Sequence, residues 1–518
     1  MIKYPIGIQS FQELRNDGYL YVDKTAFVHR LVSEGKYYFL SRPRRFGKSL
    51  LLSTIEAYFR GQRDLFRGLA IDRLATDWTE YPVLHLDFNR SDYGEPGALA
   101  AVVDDRFAEW ETQYGLTPDS GVLPEIRFNR IIRAAARATG RQVVVLVDEY
   151  DKPVLQAAGD EAEASRMLSM LKGIYSNLKG MDRYIRFAML SGVARFSKIS
   201  IFSDLNNLRD ISLANEFAEI CGITRDELET SFQEGVRLLA EAEELTEADT
   251  LAQLESRYGG YRFARRCRSL FNPFSLMNVM AGREFGSYWF ETGTPTFLVK
   301  MIRDGRWSLE ALQRIETDPA SLSLLRLYEP DPVAVLFQTG YLTIRSYDRD
   351  LELYRLDYPN REVKEGFLKF LLPYYFGRPE SRMEFSIAEF IGDVRAGRPE
   401  EFMTRLATLV AQVPYDGSDR PLERHFQNII YLVFTLMGFH TEMEMRTATG
   451  RIDLLVETSS FVYVFEFKID REPGIAADQI DDRDYSAPFR LRGKRVYAIG
   501  ASFDTSTRTL SAWTIGQR

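Results

Sequence analysis

The 518-residue sequence predicts an α/β protein with two separate α/β regions, one near each end, joined by mostly helical chain. Three stretches carry this expectation. Residues 37–53, YYFLSRPRRFGKSLLLS, read as a short apolar strand, a polar loop and an apolar helix start. Residues 143–149, VVVLVDE, place five apolar residues in a row before two acids, which suits a strand buried on both faces of a parallel sheet. Residues 461–468, FVYVFEFK, form another apolar strand that ends in Glu466-Phe467-Lys468. A chain of this length exceeds what one core supports, so two to four domains are expected.

The first stretch has the context of a P-loop: strand, phosphate-sized loop, Gly-Lys-Ser, helix. Loop amides and the positive end of the helix dipole can cradle phosphates there. Arg44, Arg45, Phe46 and Gly47 would form the cradle, Lys48 would reach the outer phosphates, and Ser49 would hold Mg²⁺ through its hydroxyl. The usual pattern has Gly six residues before the lysine, where this chain has Arg42. A side chain there restricts the first bend of the loop, and three loop arginines offer phosphates charge in compensation. Asp148 falls at the carboxyl end of its strand, where open α/β sheets bind ligands. It would complete the Mg²⁺ shell, and Glu149 would orient and deprotonate an attacking water. ATP is expected rather than GTP because no Asn-Lys-x-Asp guanine signature is present.

Composition excludes several classes. The chain is 45% apolar and 27% charged, and a net charge of −8 gives no overall drive toward nucleic acid or acidic membranes. Cys221 and Cys267 have no paired spacing, which argues against a disulfide framework or zinc site and fits a reducing compartment. His29, His85, His425 and His440 are scattered, against His-based metal chemistry. The N-terminus has no apolar signal core, and no run of about 18 apolar residues occurs. A cytoplasmic location and no membrane partner are expected.

Along the chain, residues 6–35 lead in, with Asp23-Lys24-Thr25 as a helix cap for 26–33. Residues 81–88 read as a strand ending in a carboxylate, 97–139 as helical, 160–180 as a helix and 185–190 as a third strong strand. That strand stops at Ser191-Gly192, where Ser191 is the candidate to sense the γ-phosphate; a plain strand-end turn reads equally well. Arg195, Lys198 and Arg209 follow in a polar loop, within reach of phosphates. These elements predict a P-loop core over 1–215, with a mostly parallel sheet covered by helices on both faces. A helical lid is expected over 216–290, with start signals at Thr224-Arg225-Asp226-Glu227 and Thr246-Glu247-Ala248-Asp249. A mostly helical connector is expected over 291–413, with a hairpin at 343–358 and a linker at 414–419.

From 414 to 518 the pattern is helix 422–436, strand 440–445, strand 452–456, strand 461–468 and a further helix. Strand residues two apart share a face, so Glu466 and Lys468 point one way and Phe467 into the core. Asp453, on the neighbouring strand, can meet Glu466. Two converging carboxylates suit Mg²⁺, and Lys468 would position a water or stabilise developing charge. Glu423 and Gln479 are further candidates at this site. This order of elements resembles the core of a PD-(D/E)xK, restriction-endonuclease-like domain. The region is mildly acidic, and only Arg490–Arg495 is dense enough to be a basic footprint.

Long stretches of the chain resemble a bacterial family of AAA-ATPase-like proteins with a C-terminal PD-(D/E)xK nuclease domain. They include PIGIQSF at 5–11, YVDKT at 21–25, SRPRRFGKS at 41–49, DEYDKP at 148–153, FSDLNNL at 202–208, NPFS at 272–275, FETGTP at 290–295, GRID at 450–453 and EFK at 466–468. The resemblance makes the arginine at the loop start a family trait and implies an ATPase core joined to a nuclease-like domain. The expected function is ATP binding and hydrolysis coupled to a Mg²⁺-dependent nuclease, with DNA preferred to RNA as partner and a homo-oligomer allowed. The alternative is an ATP-dependent switch whose C-terminal domain binds nucleic acid or a partner without cutting. A role in defence or mobile-element biology would suit the pairing by analogy.

Overall fold

The polar edge of one sheet organises the first half of the chain. A computed structural model describes residues 2–157, 160–195, 207–289, 315–323, 331–367 and 387–411. It also describes 427–518 apart from 428, 432, 436–438, 448–449, 484, 486–488, 490–492 and 508. The described residues within Met1–Phe297 and Ile315–Val363 form one compact unit, and those within Lys364–Arg518 form a second.

The first unit is built on five parallel strands: β1 (Tyr37–Ser41), β2 (Val83–Asp87), β3 (Val143–Asp148), β4 (Ile185–Gly192) and β5 (Arg209–Asp210), in the order β2-β3-β4-β1-β5. Every residue of β1 and of β3 is buried. Strand side chains alternate between faces, so both faces of the sheet are covered, as the apolar runs predict. Strand β4 lies between β1 and β3, with Ser41 beside Gly192 and Val147 beside Leu190. The expected helical stretch 97–139 is two helices, Ala98–Gln113 and Pro124–Thr139. Pro124 opens the second, where its missing N–H is no loss.

Both lid start signals are used. Thr224 and Glu227 make a reciprocal capping box, and Thr246 caps Asp249. Helices Arg225–Ser231, Gln233–Ala242, Glu247–Tyr258 and Pro273–Gly282 share a core around Phe232, Leu239, Leu254 and Tyr258 with the pair β6 (Ile223–Thr224) and β7 (Leu270–Phe271). Asp23 serves the expected helix, Thr25–Glu34, by accepting from Thr25 N at 2.9 Å, and with Thr25 it serves a second one. Asp23 accepts from Ala70 N at 2.7 Å and Thr25 Oγ1 from Ile71 N at 3.1 Å, so they cap Ala70–Leu74. Lys24 pairs with Glu227 at 2.7 Å and ties the lead-in to helix Arg225–Ser231.

The expected hairpin is present as β9 (Thr343–Asp348) and β10 (Leu353–Asp357), extended by β8 (Ile315–Thr317) on the far side of β10. The span 291–413 does not stand as one connector. Its 315–363 part is built into the first unit: Glu362 accepts from Ser275 Oγ at 2.8 Å and Trp289 N at 2.9 Å, and Asn360 donates to Gly259 O at 2.8 Å. Its 387–411 part belongs to the second unit, and the linker 414–419 lies outside the described residues.

The second unit carries the sheet β11 (His440–Arg446), β12 (Arg451–Glu457), β13 (Phe461–Ile469), β14 (Arg495–Asp504) and β15 (Thr509–Gln517), in sequential order. Only the β13–β14 pair is parallel. Tyr463 and Phe465 on one face of β13 meet Phe402 and Phe434, and Val462 and Val464 on the other share a core with Ile480 of helix Pro473–Asp482. Helix Ile387–Ala396 is bound to the first face through Tyr463 Oη, which donates to Val394 O at 2.5 Å, and helix Pro399–Val410 through Phe402. Among the described residues no helix is long and apolar enough to cross a membrane.

Candidate active sites

The loop after β1 turns on two left-handed residues, Arg45 (φ 68°) and Gly47 (φ 90°). Gly47 adopts this without cost, whereas Arg45 holds roughly 1–2 kcal/mol of strain. The turn opens helix Lys48–Phe59, whose first amides are unpaired by the helix itself. Lys48 is 3% exposed. Its ammonium donates to Arg42 O at 3.0 Å and Pro43 O at 3.2 Å and pairs with Glu149 Oε1 at 3.0 Å, so its three protons are engaged.

Asp148 ends β3 and is buried. Its Oδ1 accepts from Ser191 Oγ at 2.5 Å, and the Ser49 hydroxyl lies beside it. Burial, then the charge of Glu149, push the Asp148 carboxyl above its usual range, against the two hydroxyls and Lys48. Glu149 takes a positive φ of 51°, which separates its direction from that of Asp148. A cavity of about 500 Å³ opens here, lined by Arg44, Arg45, Gly47, Lys48, Ser49 and Glu149 among others. Its donor set, the Ser49 hydroxyl, the Glu149 carboxylate and a cationic loop at a helix N-terminus, with the buried Asp148 next to Glu149 in the chain, fits a Mg²⁺-triphosphate.

Arg42 does not add charge to this cavity. It is 1% exposed, and its guanidinium donates to the carbonyls of Ser41 (2.9 Å), Ser212 (2.7 Å), Phe217 (3.3 Å) and Ala218 (3.3 Å). It also lies 4.4 Å from the Phe263 ring centroid. Burial pulls its pKa down from the arginine range. The loop's first bend needs no left-handed residue at this position, which removes the steric objection to a side chain there.

Asp151 is a further acid at this edge, and it is fully buried. Its Oδ2 accepts from Val193 N at 2.9 Å and Ala194 N at 2.5 Å. Burial and the charge of Glu149 push its carboxyl up to about 7, against the Ala194 amide and Lys48.

In the second unit, Leu454 pairs with Phe465, so one step along the same antiparallel register sets Asp453 opposite Glu466. Both are buried, at 7% and 3% exposure. Asp453 Oδ2 accepts from Phe467 N at 2.8 Å. Glu466 Oε1 accepts from Lys468 Nζ at 2.9 Å and from Gln479 Nε2 on helix Pro473–Asp482. That helix comes close because Gly500 lies beside Glu466 in the register. A Cβ at Gly500 would sit 2.3 Å from Pro473 O and 2.6 Å from Ala477 N. Two carboxylates with a lysine and an amide fit Mg²⁺, which keeps several waters and takes one or two carboxylates.

A family model described as a predicted AAA-ATPase matches residues 5–202, and one described as the PD-(D/E)XK nuclease superfamily matches residues 422–513. A protein of Azotobacter chroococcum mcd 1, described as an uncharacterized protein in the vnfD 5'region, is 37% identical over 524 residues, covering 99% of this chain and 98% of that one. The chain belongs to the AAA-ATPase-like family with a PD-(D/E)XK nuclease superfamily domain.

Within this AAA-ATPase-like chain the predicted residues divide. Lys48, Ser49, Asp148 and Glu149 meet, with Arg44, Arg45 and Gly47 on the same cavity, and Ser191 joins through Asp148. Arg45 stacks 3.5 Å from the Phe274 ring centroid. Phe46 is 1% exposed and packs on Tyr261 and Phe263, so its ring is a core side chain and only its backbone serves the loop. Arg195 and Arg209 pair with Asp210 and Glu216, each at 2.6 Å, rather than meeting the cavity. Asp453, Glu466, Lys468 and Gln479 come together. Lys494 is held by Glu457 and Thr458 O. Lys198, Glu423, Arg490 and Arg492 lie outside the described residues.

Two outcomes follow for the first site. Arg42→Gly, which restores the commoner residue, is expected to cost about 2–4 kcal/mol because buried carbonyls lose their donor; a shifted denaturant midpoint measures it. Asp151 binds a proton in the folded chain to about pH 7, whereas the unfolded carboxyl releases it near about 3.9. Its contribution is therefore complete below about pH 4 and lost as the pH rises through 7. Asp151→Asn should flatten the fall in stability over that window, read from denaturant midpoints at stepped pH.

Proposed function

We propose that the protein binds and hydrolyses ATP at the Lys48–Glu149 edge of the first sheet, and that Asp453, Glu466 and Lys468 form a Mg²⁺-dependent phosphodiesterase acting on nucleic acid, DNA before RNA. The observation that supports the first half best is the 3.0 Å pair between Lys48 and Glu149, with Asp148 beside it accepting from Ser191. Ser49 and Asp148 would hold Mg²⁺ in the first site, and Asp453 and Glu466 in the second. Bound Mg²⁺ supplies charge neutralisation at phosphate oxygens in both.

The chain's own groups account for the rest. The amides of the 44–49 loop bind phosphate oxygens at the helix N-terminus. Lys48 exchanges its bond to Glu149 for the outer phosphates, which frees that carboxylate. Glu149 then accepts the proton of the attacking water. Ser191, fixed to Asp148, orients it. In the second site Lys468 stabilises charge developing on the scissile phosphate, and Gln479 fixes the Glu466 rotamer. Nucleotide turnover in the first unit would regulate cleavage in the second, in a setting of defence or mobile-element biology by analogy with other such pairings.

The mild acidity of residues 415–518 favours a second reading, an ATP-dependent switch that binds nucleic acid without cutting. Glu149→Gln should lower ATP turnover by about 100-fold or more with nucleotide affinity retained, read by phosphate release and titration calorimetry. Asp453→Asn and Lys468→Ala should each lower Mg²⁺- or Mn²⁺-dependent cleavage of DNA by about 100-fold; a wild-type chain that cuts no DNA or RNA at any metal concentration supports the switch instead. Equal cleavage by Lys48→Ala and wild type in the presence of ATP would end the proposed regulation.

A further inference from the structure

The turn that leaves β4, Ser191–Arg195, is held from two directions. On the inner side, Tyr150 N donates to Ser191 O at 3.0 Å, Asp151 takes the amides of Val193 and Ala194, and Tyr150 Oη donates to Ala194 O at 2.8 Å. Gly192 is confined there: a Cβ would sit 2.5 Å from Asp151 Oδ1 and 2.7 Å from the Tyr150 ring. On the outer side the hold comes from far along the chain. Gln338, 6% exposed on helix Pro332–Thr339, accepts from Arg195 N at 2.9 Å and donates Nε2 to Leu322 O at 2.9 Å.

The same helix also meets the phosphate loop. It ends at Gly340 (φ 91°), where a Cβ would lie 2.7 Å from Pro43 Cβ. A cavity of about 30 Å³ is walled jointly by Arg42, Pro43, Arg195, Leu322 and Gln338. The Ser41 hydroxyl donates to Val193 O, which joins the loop start to the same turn. A buried amide in an otherwise apolar helix, with one acceptor and one donor bond, is costly to leave unpaired and so fixes its neighbours.

We infer that Gln338 is a positioning residue of the ATP site. It acts through Arg195 and the β4 exit to hold Ser191 against Asp148, although it lies outside the 5–202 span of the ATPase match. The segment 332–342 therefore completes the frame of the nucleotide site rather than linking it to something else. The inference rests on the ATP reading proposed above.

The test uses the full chain with Gln338→Leu and Gln338→Glu. Glutamate keeps an acceptor for the Arg195 amide and loses only the donation to Leu322; leucine loses both. Steady-state ATP hydrolysis is measured with mant-ATP affinity and thermal unfolding alongside. Gln338→Leu is expected to lower kcat about tenfold or more with KM and affinity within about twofold, and Gln338→Glu to recover most of the rate. Wild-type kcat in Gln338→Leu overturns the inference. So does an equal loss in both variants, or a loss of affinity and melting temperature together, which a merely structural contact would give. A wild-type chain that neither binds nor hydrolyses ATP overturns the ATP reading, and this inference with it.

Discussion

Three acids crowd the carboxyl edge of β3, and a sheet buried on both faces cannot leave them uncompensated. Stripping water from a carboxylate costs several kcal/mol even after relaxation. The protein meets this in three ways. Glu149 is paired with Lys48, Asp148 accepts the Ser191 hydroxyl, and Asp151 accepts backbone amides while its pKa rises. Each solution draws in a different element: the phosphate loop, the end of β4 and the turn beyond it. The strand order β3-β4-β1 is what lets all three reach one edge. A site organised to neutralise its own carboxylates is also one that a phosphate-bound cation and an incoming polyanion can rearrange.

The second unit solves a related problem with fewer parts. Asp453 and Glu466 face one another across an antiparallel register, and Asp453 is bonded to the backbone of the strand that carries Glu466. Lys468 follows Glu466 by two residues and shares its face, so the cation arrives with the strand. Gln479 needs a helix to come down onto the sheet, and the absence of a side chain at Gly500 permits that approach. Aromatic packing on the opposite face, Phe402 and Phe434 against Tyr463 and Phe465, anchors the strand so that its charged face stays in place.

Both sites were legible to a large degree because their chemistry rides on local patterns. The VVVLVD run could only be a strand covered on both sides, and its acids had to fall at the strand end. Period two placed Glu466 with Lys468. The loop was harder. Arg42 read as a defect offset by charge, yet its guanidinium serves carbonyls at 212, 217 and 218. Phe46 and Arg195 read as parts of the nucleotide site, and packing assigns the one to the core and the other to Asp210. Gln338 carried one faint signal, an amide directly after the apolar run PVAVLF.

By itself the sequence determined the elements and their chemistry: β-branched runs, glycine where the backbone turns left-handed, acids at strand ends, and caps such as Thr224 with Glu227. These depend on residues a few positions apart, whose geometry the backbone period fixes. Tertiary structure decided which distant groups satisfy each buried charge and where one unit stops. The halves of the expected connector separated because Glu362 and Asn360 find their partners at Ser275 and Gly259, whereas helices 387–410 find theirs on β13. A buried polar group must bond to whatever packing brings beside it, and residue type alone does not say which part of the chain that will be.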